Sequence, residues 1–317
     1  MRDWETVMTE KKNKEFTTLI IFNVILLIIF GIMLLIGTWN DKSISETIYR
    51  DDNILSKIVT CFGTFPFFFS GVIFLGVLYE KAIHSSVEKP LKTVLCAVCI
   101  ILGIFVGFIG SGSIVDKDTL GQFFPSLNRN IPVISGISLV TIFPLFYAGY
   151  RLGGKTQDKL IVKRIISLLV LLGLSYAFLQ IFKGVFHRPR FRLALLGYQG
   201  IGFQPWYKPF EGAARYMERF GIESSEFRSF PSGHSILSMS VVYVLQSFSW
   251  LFPKLRSEKL GLGITGAIFA VMIMLTRVVL GAHYVSDVSA GAIVGGGLAL
   301  AYTVIQHNFD KKCDCLE

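Results

Sequence analysis

The chain has 317 residues, of which 52% are hydrophobic and only 17% charged, and its mean hydropathy is +0.57. A soluble globule of this size needs about a quarter of its residues charged, so most of the surface must face lipid. Disordered, collagen-like and disulfide-stapled secreted classes are excluded. The net charge of +9 would suggest nucleic acid in a soluble protein; here it is assigned to loops beside anionic headgroups, and no nucleic-acid partner is expected.

A bilayer core of ~30 Å takes about 20 apolar residues of helix. Eight such runs are predicted, at 17–38, 57–79, 93–115, 133–150, 161–182, 233–252, 261–280 and 284–305. The fold class expected is all-α: a polytopic helical membrane protein with about eight transmembrane helices. Residues 1–16 form a charged N-terminal segment, 17–160 the N-terminal helices, 161–305 a C-terminal core and 306–317 a polar tail. The first run is too long for a signal-peptide core and is expected to stay as an anchor.

Eight spans put both termini on one side. The segments 1–16, 80–92, 151–164, 253–260 and 306–317 hold seventeen lysines and arginines. Leaving out the long 183–231 loop and Arg277, the opposite side holds Lys42, Arg50, Lys57, Lys117 and Arg129. The positive-inside bias therefore predicts cytoplasmic termini and an extracytoplasmic 183–231 loop.

Away from their ends, the first five spans carry no ionisable side chain other than tyrosine and cysteine. The exceptions come late: Lys183 ends the fifth run, His234 opens the sixth, Arg277 closes the seventh, and His283 and Asp287 open the eighth. Polar groups at membrane depth are costly and usually functional, and all five fall at ends that the topology puts on one side.

His283 and Asp287 are four apart on one helix face. A carboxylate there can accept Nδ1–H and leave the Nε2 lone pair aimed outward, as an oriented nucleophile or base. A buried ion pair closing a helix end would look the same. His234 stands in Phe230-Pro-Ser-Gly-His-Ser235, where Ser232 can cap a helix, Gly233 lets a substrate approach the backbone, and the free N–H groups of the first turn favour an anion. A second histidine there suits proton transfer to a leaving group, although the tetrapeptide alone also reads as a plain cap. Lys183, Arg188, Arg190 and Arg277 supply fixed cations matched to a phosphoryl group; headgroup anchoring explains one or two of them, not four around two histidines.

Together these segments resemble the type-2 phosphatidic acid phosphatase superfamily over roughly residues 161–305. The first motif of that family, lysine, six residues, Arg-Pro, falls on Lys183 and Arg190; Pro-Ser-Gly-His is intact at 231–234; Ser-Arg, five residues, His, three residues, Asp falls on Thr276-Arg277, His283 and Asp287. Phe191 replaces the proline after Arg190, with Arg188-Pro189 in shifted register, and Thr276 replaces serine. The resemblance implies an integral-membrane lipid phosphate phosphatase that needs no metal and no cofactor. His283 would form a phosphohistidine, Asp287 would hold its tautomer, and His234 would protonate the leaving group and then activate water. Lys183, Arg190, Arg277, Ser232 and the Gly233 N–H would bind the phosphoryl oxygens, with Arg188 and Thr276 as further candidates. The expected setting is the plasma membrane, multi-pass, with the site extracytoplasmic. A lipid phosphotransferase is compatible with the same motifs, and a non-catalytic transporter or scaffold is the reading from another class.

Residues 149–156 satisfy the Gly, four residues, Gly-Lys-Thr nucleotide-binding pattern, but between two membrane spans there is no α/β domain for it, and no nucleotide partner is expected. Gly291 and Gly295 form a small-xxx-small face suited to close helix packing. The 184–230 loop holds eleven aromatic residues and a predicted short helix in 210–220; it reads either as a lip admitting a lipid tail or as an aromatic belt at headgroup level.

Overall fold

A computed structural model describes residues 4–314. Twelve α-helices are present among them: α1 (Trp4–Ile48), α2 (Ile54–Cys61), α3 (Phe65–Ile83), α4 (Lys89–Ile114), α5 (Ile131–Gly153), α6 (Ile161–Lys183), α7 (Phe191–Ala194), α8 (Ala213–Phe220), α9 (Gly233–Met239), α10 (Val241–Ser247), α11 (Lys259–Val279) and α12 (Val285–Asp314). No strand occurs among the described residues.

Seven helical segments are long and apolar enough to cross a membrane: α1, the α2–α3 pair, α4, α5, α6, α11 and α12. The predicted spans differ from the structure in two places. The run 57–79 is broken by a turn at residues 62–64, between α2, which Asn53 caps at its start, and α3, which carries Pro66 in its first turn. The run 233–252 is not one long helix but α9 and α10, seven residues each, broken at Ser240. The Ser240 hydroxyl donates back to the Ile236 carbonyl (3.2 Å), a bond that bends helices. Ser235, Ser238, Ser240, Ser247 and Ser249 are all fully buried. Protein rather than lipid surrounds this segment.

By contrast, Leu139, Val140 and Phe143 on α5 are 73–76% exposed, which suits a face covered by acyl chains. α1 and α12 lie side by side along much of their lengths, joined by a hydrogen bond from Asn23 Nδ2 to Thr303 Oγ1 (3.1 Å). The pair defines two ends of the molecule. At one end are both chain termini, where Phe16 stacks on His307 (3.8 Å between ring centroids) and Lys259 pairs with Glu15 (3.0 Å). At the other end Asp41 of α1 meets Ser286 at the start of α12.

Residues 149–153 of the nucleotide-like pattern are the last turn of α5, not a loop, and Gly149 is in close contact with the α3 backbone at Ile73. The 184–230 segment folds around its own small core of Leu193, Ile201, Ala213 and Phe227. Its aromatic rings stack largely on one another: Phe210 on Phe227 and Trp206 on Phe230. The helix predicted within 210–220 is α8. The tail 306–314 continues α12 as helix.

Candidate active site

The site is assembled where the 229–234 loop, the α11–α12 turn and the 183–192 segment meet. Ser232 caps α9, its hydroxyl accepting from the Ser235 N–H (3.4 Å), while its own N–H donates to the Asp287 carbonyl (3.0 Å). The His283 N–H donates to the Arg277 carbonyl (3.2 Å) and closes the end of α11. α12 reaches α9 through Gly291, where a Cβ would stand 2.6 Å from the Ser232 carbonyl oxygen and 2.9 Å from Ser235 Cβ. The small-residue face of α12 thus brings the Pro-Ser-Gly-His segment against the turn that carries His283. Gly233 has a packing reason of its own: a Cβ there would meet Leu179 at 2.7 Å and Lys183 Nζ at 3.1 Å, which sets the lysine directly beside the start of α9.

His283 is 1% exposed. Its Nδ1 lies 2.7 Å from the Ser229 carbonyl oxygen; a carbonyl only accepts, so Nδ1 carries the hydrogen and Nε2 keeps its lone pair. The nearest acceptor is therefore Ser229, and not Asp287 as the spacing predicts. The Asp287 carboxylate stands 3.7 Å from Nδ1, having turned to accept from the Ser229 hydroxyl (2.5 Å), the Tyr284 N–H (2.9 Å) and Arg188 Nη1 (2.5 Å). Asp287 thus holds the hydroxyl of Ser229, the residue whose carbonyl oxygen faces His283 Nδ1. Burial, aided by the positive charges of Arg277 and Arg190, pushes His283 down to about 4 in spite of Asp287. The imidazole is neutral at pH 7.

The arginines divide into two groups. Arg188 is fully buried between Asp287 and Asp41 (Nη2 to Oδ2, 2.9 Å), with its face 4.0 Å over the Tyr284 ring. Both its carboxylate partners belong to the α1–α12 contact. Arg190 and Arg277 share one oxygen of Asp118, at 2.6 and 2.8 Å, and Arg192 takes the other at 2.9 Å. Burial alone would raise Asp118, but these three guanidinium groups hold it well below the usual carboxylate range. The Nε atoms of Arg190 and Arg277, and Nε2 of His234, are buried without a hydrogen-bond partner. His234 has Arg277, His283 and Lys183 as electrostatic neighbours. Thr276 faces elsewhere, its hydroxyl 2.7 Å from Thr60 and 2.7 Å from the Ile273 carbonyl.

Asp118, Asp41, Ser229 and the Arg192–Glu226 pair are absent from the sequence-based set. Asp118 stands on the 115–130 connection, tied down by Lys117 to Glu226 (2.6 Å) and Glu223 (2.8 Å). Its one sequence signal is its position: a charged Asp-Lys-Asp at a span end on the same side as the histidines. Among the described residues no group of three or more His, Cys, Asp and Glu is gathered as a metal site.

Comparison with known proteins gives the matching stretch. Residues 164–311 match the PAP2 superfamily, a stretch that contains every predicted catalytic and phosphate-binding residue. This C-terminal stretch, a little under half of the chain, is similar to the PAP2 superfamily. Over 79 residues it is 38% identical to a lipid A 1-phosphatase of Rhizobium etli, covering 25% of this chain and 30% of that protein. Over 81 residues it is 37% identical to a lipid A 1-phosphatase of Rhizobium johnstonii, covering 26% and 29%. The chain thus aligns with less than a third of the length of these curated relatives. No solved structure matches it significantly. Asp118 and Asp41 both lie outside the PAP2 stretch, so the 115–130 connection and α1 each place a carboxylate beside the C-terminal motifs.

Proposed function

We propose that the protein is a lipid phosphate phosphatase working through a phosphohistidine on His283. The observation that carries this reading is a set of unpaired atoms: the Nε2 lone pair of a neutral His283, and the buried, partnerless Nε of Arg190, Nε of Arg277 and Nε2 of His234. Buried polar atoms are rarely left unpaired, and an anion with several oxygens would satisfy the two guanidinium groups together.

In the proposed cycle Nε2 of His283 attacks phosphorus, and the bond to the lipid oxygen breaks. The equatorial oxygens lie against Arg190, Arg277, Lys183 and the start of α9 at Ser232 and Gly233, where charge develops. His234 passes a proton to the departing oxygen; that proton can enter with the substrate, since a phosphomonoester has its second pKa near 6. Water then loses a proton to His234, attacks the phosphohistidine and frees His283 as inorganic phosphate departs. Asp287 and Ser229 keep the Nδ1–H tautomer throughout, and Asp118 holds the two guanidinium groups by their Nη atoms while leaving Nε available.

The cationic bias puts the termini in the cytoplasm and the site, at the other end of the bundle, on the extracytoplasmic face of the cell membrane. The short stretch shared with lipid A 1-phosphatases supports a phosphorylated amphiphile, a phosphoglycolipid included, as substrate. The test is phosphate release by the detergent-purified full chain, with chelator present, from phosphatidic acid, phosphatidylglycerol phosphate, undecaprenyl diphosphate, lipid A and soluble phosphomonoesters. Release from at least one lipid phosphate, lost in His283→Ala, is expected. No release from any substrate overturns the reading, and phosphate found on an acceptor other than water converts it to a phosphotransferase.

A further inference from the structure

A groove of about 720 Å³ runs between α4 and α5 and is closed at one end by α3. All three helices lie outside the 164–311 stretch. Its walls are Ile100, Ile104 and Phe108 of α4 against Leu139, Phe143 and Tyr147 of α5. Close glycine contacts fix its floor. Gly76 and Gly149 bring the α3 and α5 backbones together, and Gly103 and Gly107 seat α4 on Phe146 and Ile142. The groove is therefore a preformed gap between rigidly packed helices. The buried hydroxyl in its floor, Ser138, is already donated to the Ile134 carbonyl (2.7 Å), so its depth offers nothing to water and suits hydrocarbon.

The groove extends along α5 from Ser135 to Tyr150, about 22 Å at a rise of ~1.5 Å per residue. Half of a ~30 Å bilayer core is about 15 Å, so one acyl chain fits along it. Its two ends differ chemically. α3 starts beside the site, with Gly63 against His234, and Gly153 near the end of α5 meets Val77 and Glu80 of α3; the ends of both helices thus lie at the end of the bundle that holds the termini. Here the apolar lining gives way to Tyr79, Tyr147 and Tyr150. Arg151 Nη1 donates to the Tyr147 hydroxyl (3.1 Å), which holds the guanidinium on the groove's rim and leaves the phenolic hydrogen free to donate. Glu80, the carboxylate near this mouth, is engaged by Lys81 (3.2 Å) and His84 (3.3 Å). Arg151 forms no ion pair among the described residues.

We infer that this groove binds an anionic glycerophospholipid, its acyl chain along α4 and α5 and its phosphate at Arg151 and Tyr147. An apolar cleft with a few polar groups at one end has the form of a ligand site, and a cation between helices at a membrane face suits a lipid phosphate. None of the catalytic residues takes part, so the site is independent of the phosphatase reading.

The test is native mass spectrometry of the delipidated full chain in detergent, titrated with phosphatidylglycerol and with phosphatidylcholine of the same acyl chains. One phosphatidylglycerol per chain, held at least tenfold tighter than phosphatidylcholine, is expected. Ile104→Trp fills the groove and Arg151→Gln removes the rim cation; both positions are exposed, so the thermal transition in lipid-free detergent should stay unchanged. Each variant should lower phosphatidylglycerol affinity to the phosphatidylcholine level, whereas Arg190→Ala, in the phosphate cradle, should leave it unchanged. Equal affinity for the two lipids, binding that survives both groove variants, or binding lost only in Arg190→Ala overturns the site. A lipid-free dimer that Ile104→Trp splits also overturns it, giving the groove to a second copy of the chain.

Discussion

Replacing Asp118 by asparagine keeps the side-chain shape and removes the one carboxylate shared by three guanidinium groups. Arg192 would retain Glu226 at 2.6 Å, and Arg190 would keep only a distant approach to Glu226 at 4.0 Å. Arg277, 1% exposed, would lose its only ion pair among the described residues. A charge pair about 4 Å apart at an effective dielectric near 20 is worth about 4 kcal/mol, and breaking a buried pair by removing one partner costs about 3–5 kcal/mol. Asp118→Asn is therefore expected to lose about 3–5 kcal/mol of stability. An anion in the cradle should restore part of it: at a phosphate concentration about 100 times its dissociation constant, binding to the folded state contributes about 2.7 kcal/mol. The assay is thermal unfolding in detergent of wild type and variant, with and without inorganic phosphate. The variant should unfold earlier without phosphate and gain more from it than wild type does. Equal stability without phosphate, or equal phosphate stabilisation of both proteins, would refute the role given to Asp118.

Other outcomes follow from the same geometry. Because burial pushes His283 down to about 4, the acid limb of kcat/KM, corrected for substrate ionisation, should be centred near 4; a limb at the ordinary histidine value of ~6.5 would contradict the neutral, buried nucleophile. The same depression makes the fold lose stability as pH falls from ~6.5 towards 4, the window in which an unfolded histidine takes up a proton that the folded one refuses. Arg188→Ala should fail to accumulate as folded protein, since it leaves Asp41 and Asp287 buried together without their cation, whereas Arg190→Ala should fold with Asp287 and its partners intact and lose phosphate release; the reverse pattern in detergent chromatography and activity would exchange their roles. Gly291→Ala puts a methyl 2.6 Å from the Ser232 carbonyl oxygen and should cost about 1–3 kcal/mol through overpacking, read as an earlier thermal transition, with unchanged unfolding counting against the tight α9–α12 contact.

Much of this site is legible in the chain because lipid leaves few places for charge. A lysine, two histidines, an arginine and an aspartate at span ends stand out against apolar helices, and capping at Ser232 and close packing at Gly291 follow from local chemistry. What escapes is set by tertiary partners. Hydropathy does not distinguish lipid from the protein interior, so the run 233–252 reads as one span although it is two short helices buried in the bundle. Helix spacing puts Asp287 beside His283, but it does not reveal that Ser229 takes the Nδ1 hydrogen while Asp287 turns to Arg188. Asp118 and Asp41 look like ordinary charges at span ends; only the close approach of α1 and of the 115–130 connection makes one the counter-ion of Arg190 and Arg277 and the other that of Arg188.

The most direct measurement is rapid acid-free quenching of the purified enzyme with a radiolabelled lipid phosphate, followed by peptide mapping. The account predicts an acid-labile, alkali-stable phosphoryl group on His283, more abundant in His234→Ala, where the water step lacks its base, and absent from His283→Ala. Label on another residue, or turnover of lipid phosphate with no phosphorylated enzyme in either protein, would contradict it.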